Sequence, residues 1–295
     1  MPHPEEQYRQ LIWDILDHGH NRPSAWKPLP SQPDPPGTLS LMSRTMVFDL
    51  SQGRFPMLTL RKTWFKAAAA ELLWYLSGST NANDLRAIGA KVWDRWDTAE
   101  TAGSMGWADG ELGPIYGAQW RDFGGRVYYP GGLVGHIRGF DQIAWVINLL
   151  KTEPNTKRAK VIGWHPADMQ RCFVACCHGD LNFQVWGDRL HMEMSQRSGD
   201  APIGVPFNTA CYALLLLLMA QVTGYKPGTF YHHIWDPHIY EDQVPAMREL
   251  IKREPLPYPS IKINPDIGDI FAFTLDDFEL VNYQSHPAMD VPVAT

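Results

Sequence analysis

The stretch LNFQVWGDRLHMEMSQRSGDAPIGVPFNTACYALLLLLMAQV, Leu181 to Val222, decides the fold. Gly187-Asp188 separates two alternating runs and predicts a two-residue hairpin turn. In the second run Leu190, Met192 and Met194 share one face. His191, Glu193 and Ser195 share the other, because successive side chains of a strand point to opposite sides. Ala210 to Val222 is apolar all round, which predicts a helix buried in the core. A half-buried hairpin leading into such a helix predicts a mixed α/β fold with helices packed on a mixed sheet.

Working outward, Gln7 to His18 has helical spacing, with Tyr8, Leu11, Ile12, Ile15 and Leu16 on one face. Asn21 to Gly37 is crowded with proline and reads as a long loop. Leu39 to Leu50 alternates loosely, as a strand does. Trp64 to Leu76 predicts a helix stopped by Gly78. A shorter helix carrying Leu85, Ile88 and Val92 follows, and Asp97 to Gly113 reads as loop. Phe140 to Leu150 predicts a core helix, and Ala159 to Trp164 a short strand. Late strands are expected at Ile261–Ile263 and Phe271–Leu275. With no repeat and no linker, residues 1–295 are expected to form a single domain.

Composition sets limits on function. Of 295 residues, 44% are hydrophobic and 20% charged, the balance of a globular chain. A net charge of −6 argues against binding nucleic acid polymers, so an anionic ligand must be held by a local cluster of cations. Four cysteines in a chain this long do not suggest a disulfide scaffold. The N-terminus carries no basic-then-apolar signal. The longest apolar run is about half of the ~20 residues a membrane span needs. The expectation is a soluble, cytoplasmic protein with reduced thiols and no membrane association.

Between hairpin and helix, Gln196-Arg197-Ser198, Asp200 and Asn208 place a cation, a hydroxyl, a carboxylate and two amides within thirteen residues. Arg can grip phosphate through paired charge-assisted hydrogen bonds, and Ser can add another. Asn offers a donor and an acceptor to the edge of a base. The segment therefore reads as a nucleotide grip. Cys177-His178 lies one hairpin upstream, and a thiolate there is a strong nucleophile if Arg197 lowers its pKa. The alternative is an inert core thiol. Zinc on Cys172, Cys176, Cys177 and His178 is disfavoured, because adjacent strand residues point apart; no metal is expected. Glu71 sits in AAAAELLW, where burial would raise its pKa into a useful acid–base range; the alternative is a solvent-facing carboxylate. His238 and Tyr240, two apart in Asp236-Pro237-His238-Ile239-Tyr240, share a face that suits a sugar hydroxyl, or are simply structural. Trp93 and Trp96 fit a core as well as a stacking platform.

The order of these motifs resembles the thymidylate synthase family over nearly the whole chain: Glu71 in ELLWYL, Trp93-Asp94-x-Trp96, Gly110-x-Leu112-Gly113-Pro114-Ile115-Tyr116-Gly117, Cys177-His178, Gln196-Arg197-Ser198-x-Asp200, Gly204-Val205-Pro206-Phe207-Asn208, Asp236-x-His238-Ile239-Tyr240, and a terminal Pro-Val-Ala. The resemblance implies one-carbon transfer from 5,10-methylenetetrahydrofolate to C5 of a deoxypyrimidine monophosphate, with Cys177 attacking C6 and His178 beside it. By the same match Gln196, Arg197 and Ser198 hold the nucleotide, and Arg197 also favours the thiolate. Asn208 reads the base, and His238 and Tyr240 bind the deoxyribose hydroxyl. Glu71 relays protons through water, and Tyr116 assists removal of the C5 proton. Asp200 bonds the pterin, Trp93 and Trp96 line the folate side, and Thr295 closes over the site. Lys157 and Arg158 imply a homodimer, paired through a sheet face, whose phosphate ligands cross the interface.

Asn208 matches uracil, which presents N3–H and the O4 acceptor. The related deoxycytidylate hydroxymethylases meet cytosine with Asp. Free to flip, an amide would make this preference for dUMP over dCMP incomplete. The chain departs from the family in three places. The phosphate loop is Gln32-Pro33-Asp34-Pro35-Pro36-Gly37-Thr38, without its Arg, for which Arg22 or Lys27 are the available substitutes. Trp235 stands where a Gly is usual, and Cys176 where a Pro is usual. Trp93, Trp96 and the intact C-terminus point to methylation of dUMP. The rebuilt loop and Trp235 tilt the expectation to 5-hydroxymethylation. A catalytically silent binding homologue is the remaining alternative, opposed by Cys177, Glu71, Tyr116 and Arg197.

Overall fold

The structure, a computed structural model, describes residues 3–25, 33–129 and 132–293. Lys27, Gln32 and Thr295 lie outside the described residues.

The hairpin forms as its sequence dictates. Strands β7 (Asp180–Trp186) and β8 (Arg189–Gln196) pair antiparallel, and Gly187 takes the positive φ of 63° that the turn needs. Leu190, Met192 and Met194 are buried. They face α8 (Gly204–Thr223), in which Leu214, Leu215, Leu216 and Leu218 have no exposed surface. Each such leucine contributes about 1.5–3 kcal/mol of burial. The helix starts six residues earlier than its apolar run suggests, at Gly204 rather than Ala210. Its first turns therefore carry Asn208.

Around this core run β3 (Arg44–Asp49), β6 (Lys160–Val161) and β10 (Lys226–Ile234), giving a five-stranded mixed sheet in the order β3-β10-β8-β7-β6. Strand β10 pairs parallel with β8 and antiparallel with β3. The sequence did not announce β10. Its opening Lys226-Pro227-Gly228 reads as a breaker, and register slips there, between Pro227 and Phe230. A second sheet has the order β1-β2-β11-β9: β1 (His20–Arg22), β2 (Thr38–Ser40), β9 (Gly199–Asp200) and β11 (Pro237–Tyr240). The single strand expected over Leu39–Leu50 is thus two, broken where Ser43 takes a φ of 57°.

Helix α1 (Glu6–His18) buries Tyr8, Leu11, Ile12 and Ile15 as its spacing predicts. Helix α2 (Phe65–Ser77) ends at Gly78 in the left-handed region and packs on α8 and on α5 (Tyr116–Arg121). Helix α3 (Ala82–Ala87) is shorter than expected: Ile88 caps it and Val92 lies beyond. Asp97–Gly113 is not simply loop but holds α4 (Ala99–Met105), whose Thr98 side chain accepts from Thr101 N–H in a reciprocal cap. Glycine and alanine content hid that short capped helix. Between α5 and α6 (Gln142–Thr152) lies a hairpin of β4 (Arg126–Tyr129) and β5 (Gly132–His136). Helix α7 (Pro166–Met169) precedes the Cys177 segment, and α9 (Val244–Leu250) follows β11. The last hairpin pairs β12 (Ser260–Ile263) with β13 (Phe278–Val281), so the strand expected at Phe271–Leu275 forms three residues beyond that run.

Candidate active site

Three elements converge on Cys177. Beyond the hairpin, Arg197 N–H donates to the Cys177 carbonyl at 2.8 Å, extending strand pairing to the nucleophile. The Arg197 side chain then folds back. Its Nε donates to Cys176 O and its Nη2 to Ala175 O, both at 2.9 Å, leaving Nη2 3.7 Å from Cys177 Sγ. The guanidinium stands 5.1 Å from the Trp164 ring centre. From α5, Tyr116 Oη accepts the Cys177 N–H at 2.9 Å, and its ring stacks on His178 at 4.4 Å. The Tyr116 hydroxyl proton is not used in that bond and remains available to the sulfur or a bound ring. Burial raises the Cys177 thiol pKa, while Arg197 and Tyr116 oppose the rise. Arg197 favours the thiolate as expected, yet desolvation outweighs it in the free protein.

From α2 comes Glu71. It is buried, not solvent-facing, and Trp93 Nε1 donates to its Oε1 at 2.8 Å. Burial lifts its pKa to about 7, against the lowering effect of bonds from Trp93 and Tyr75. The ring of Tyr75 lies 4.6 Å from Tyr116 and that of Trp93 5.5 Å from Trp96, so aromatic walls run from Glu71 to Tyr116. Glu71 is thus poised to exchange a proton near neutral pH.

A chain of polar side chains crosses the buried side of the site, and donor chemistry fixes its direction. Gln196 Nε2 donates to Ser198 O at 2.9 Å, and a carbonyl can only accept. The same Nε2 reaches Asn208 Oδ1 at 3.1 Å. Asn208 must therefore turn its Nδ2 to His178 Nε2, 3.1 Å away. His178 then carries its proton on Nδ1 and donates it to Tyr212 Oη at 2.6 Å. On the other side Gln196 Oε1 accepts from His232 Nε2 at 2.8 Å, and His232 Nδ1 lies 3.0 Å from Thr209 Oγ1, whose one hydrogen is shared with Val205 O at 2.8 Å. Burial drives both histidines down to about 3, so both are neutral and can play these donor–acceptor roles. The Asn208 amide cannot flip freely: the reverse orientation loses both bonds. It retains one donor hydrogen and one acceptor lone pair for a ligand.

Strand β11 brings His238 and Tyr240 beside β9, with ring centres 5.2 Å apart. His238 Nδ1 donates to Asp236 O at 3.0 Å. Asp200 accepts from Ile203 N–H at 3.1 Å, and burial raises its pKa while His238, Ile203, Gln243 and Arg61 pull it down. Arg22 lies on β1 and forms an ion pair with Asp236 at 3.0 Å, and Gly199 N–H donates to the Asp236 carbonyl at 2.9 Å. Lys157 and Arg158 project from an exposed turn after α6 and form no ion pair among the described residues.

Several of these residues were not found in the sequence. Tyr212 had a usable signal, since a tyrosine in an all-apolar helix needs a partner for its hydroxyl. His232 had none, because β10 itself was missed. The buried Trp96 Nε1 and Arg61 Nε have no hydrogen-bond partner among the described residues, and Arg61 lies close enough to Asp200 to lower its pKa.

The family model described as thymidylate synthase matches residues 6–295. Because that match covers essentially the whole chain, the chain belongs to the thymidylate synthase family and is a C1-transferase that carries one carbon, with methylenetetrahydrofolate as co-substrate, to C5 of a dUMP-like nucleotide.

Proposed function

We propose that this enzyme acts on dUMP and carries the transfer through to the methyl product, dTMP. The observation that supports the substrate most strongly is the fixed Asn208 amide. Its remaining Nδ2 hydrogen suits O4 of uracil and its Oδ1 suits N3–H. Cytosine reverses both demands, and a mispaired buried group costs about 1–3 kcal/mol.

In this reading Cys177 Sγ attacks C6 of the ring, and the electron pair moves toward C5 and O4. Arg197 stabilises the thiolate and, with Ser198, binds the phosphate end, while Gln196, whose amide is taken up by Ser198 O, Asn208 and His232, serves the nucleotide by orienting Asn208. Arg22 reaches the same end in place of the loop Arg, next to Gly199 across Asp236. His238 and Tyr240 hold the deoxyribose hydroxyl. Tyr116 assists removal of the C5 proton, and Glu71 moves a proton through water to O4. Asp200, Trp93 and Trp96 hold the pterin, and Thr295 completes the closure. When bound, methylenetetrahydrofolate supplies the one-carbon unit and then hydride. The single domain spans residues 1–295. Lys157 and Arg158 reach the phosphate of a partner subunit.

Product choice turns on water. Hydroxymethylation is favoured by the rebuilt segment before β2. Trp235, the other residue behind that reading, packs its ring on His233 and donates its N–H to Ser195 Oγ on the sheet's outer face. The wall from Glu71 through Trp93 and Trp96 is built without it. That favours exclusion of water, and so methylation.

The test is one assay with two readouts. Tritium release from 5-tritiated dUMP with methylenetetrahydrofolate is expected, and is expected to vanish in Cys177→Ser. No release from folded protein would overturn the reading. Product mass then decides between dTMP and hydroxymethyl-dUMP.

A further inference from the structure

Gln243 is fully buried at the end of the turn after β11, and the C-terminal segment is anchored through it. Its Oε1 accepts Tyr240 N–H at 3.0 Å. A backbone N–H can only donate, so the amide orientation is fixed. Its Nε2 therefore faces two acceptors: Pro292 O at 2.9 Å and the Asp200 carboxylate, whose Oδ2 is 3.3 Å away. With two hydrogens, one Nε2 serves both. The next carbonyl along the chain, Val293 O, accepts from Arg95 Nη1 at 2.7 Å. Arg95 lies between Trp93 and Trp96. The C-terminal segment is thus held between the Asp200 side and the tryptophan side of the site, with Val291 buried just before it.

We propose that Gln243 is a positioning residue that couples docking of the C-terminal segment to Asp200, and thereby sets how well water is excluded during one-carbon transfer. The product half of this inference rests on the function proposed above; the docking half does not. Gln243→Glu keeps size and shape but sets a third acceptor against Pro292 O and Asp200. Gln243→Met keeps the volume and removes the donor. Arg95→Met, at an exposed position, releases the other carbonyl without touching Asp200.

The experiment measures, on the full-length enzyme, hydrogen exchange at the Val293 amide and the rate at which carboxypeptidase shortens the chain end. The ratio of hydroxymethyl-dUMP to dTMP is followed alongside, with KM for each substrate. All three variants are expected to speed exchange and trimming at least tenfold. The Gln243 variants are expected to raise KM for the folate about tenfold with little change for dUMP, and to raise the hydroxymethyl share. Asp200→Asn is expected to shrink the effect of Gln243→Met on exchange. If Gln243→Glu and Gln243→Met lower thermal stability but leave exchange, trimming and product ratio unchanged, Gln243 is only a satisfied buried amide and the inference fails. If wild-type protein forms no product while both Gln243 variants still free the chain end, the coupling stands and the functional reading fails.

Discussion

Burial holds Glu71 near neutrality, and this has an energetic sign that can be measured. Unfolded, Glu71 ionises near the ordinary 4.5; folded, at about 7. Below pH 4.5 both states are protonated and the group is neutral to stability. As pH rises the unfolded state ionises first, so the folded state loses up to about 3 kcal/mol, fully developed above pH 7. Gln accepts from Trp93 as Glu does, but carries no charge to desolvate. Glu71→Gln is therefore expected to match wild type in denaturant unfolding at pH 4.5 and to exceed it by up to about 3 kcal/mol at pH 8, while kcat falls by about 10²-fold or more. Equal stability differences at both pH values would contradict the burial argument. At Asn208 the prediction concerns choice of base. Aspartate cannot donate to His178 Nε2 and accepts at both oxygens. Asn208→Asp is expected to shift competing kcat/KM toward dCMP by roughly 10- to 150-fold, read from mixed-substrate assays. These side chains were legible as candidates, because their types and order are local properties of the sequence. The raised pKa of Glu71 was legible as one of two alternatives, from its apolar neighbours in the sequence; the orientation of the Asn208 amide was not, since it depends on Gln196 and Ser198 O, partners fixed only by tertiary packing.

The hairpin β7–β8 acts as a ruler for the site. Its register places Asp180 opposite Ser195, and the next bond joins Arg197 N to Cys177 O. A slip of one residue would move Arg197 to the other face and remove the cation from the thiol. The turn fixes that register through Gly187, where an added Cβ would meet nothing within 4 Å and only the φ of 63° opposes a side chain. Gly187→Val is expected to cost about 1–2 kcal/mol in denaturant unfolding, and to slow alkylation of Cys177 at neutral pH as the Arg197 contact loosens. Gly187→Asn, which tolerates that region, is expected to restore both. The hairpin and α1 were legible because each buries one periodic face of its own sequence, α8 because it is apolar all round, and α2 because a helix-forming run ends at Gly78. Strand β10 was not, although it lies between β3 and β8 near the middle of the sheet. Parallel pairing with β8 stabilises it from residues more than thirty positions away, and its own start carries Pro227-Gly228. The break at Ser43 and the capped α4 escaped for a related reason: each rests on one residue's backbone state rather than on a pattern.

Across the whole molecule, the five-stranded sheet has one face on α8 and another that carries Val47, Trp186 and Trp235 at 40%, 53% and 51% exposure. Cross-strand pairs order this outer face, among them Thr45 Oγ1 with His233 Nδ1 at 2.7 Å and Asn182 Nδ2 with Glu193 Oε2 at 2.7 Å. Exposed tryptophans on an ordered sheet face suit a self-complementary partner, and a two-fold interface buries the same patch on both subunits. The side chains of Lys157 and Arg158 are exposed and have no carboxylate partner among the described residues, which leaves them open to the phosphate-binding role proposed above. In a two-fold dimer such residues can serve the site of the other subunit, and this makes a quantitative prediction. Cys177→Ser and the double variant Lys157→Ala/Arg158→Ala are each expected to be nearly inactive. When equal amounts are unfolded and refolded together, half of the dimers are mixed. One site of each mixed dimer carries both lesions, and its other site is intact. About a quarter of wild-type activity per subunit is expected to return if subunits assort at random. If the cations served their own subunit's site, no site in any mixed dimer would be intact and mixing would restore nothing. Sedimentation at micromolar concentration supplies the companion check, since a monomer there would remove the interface on which the sharing depends.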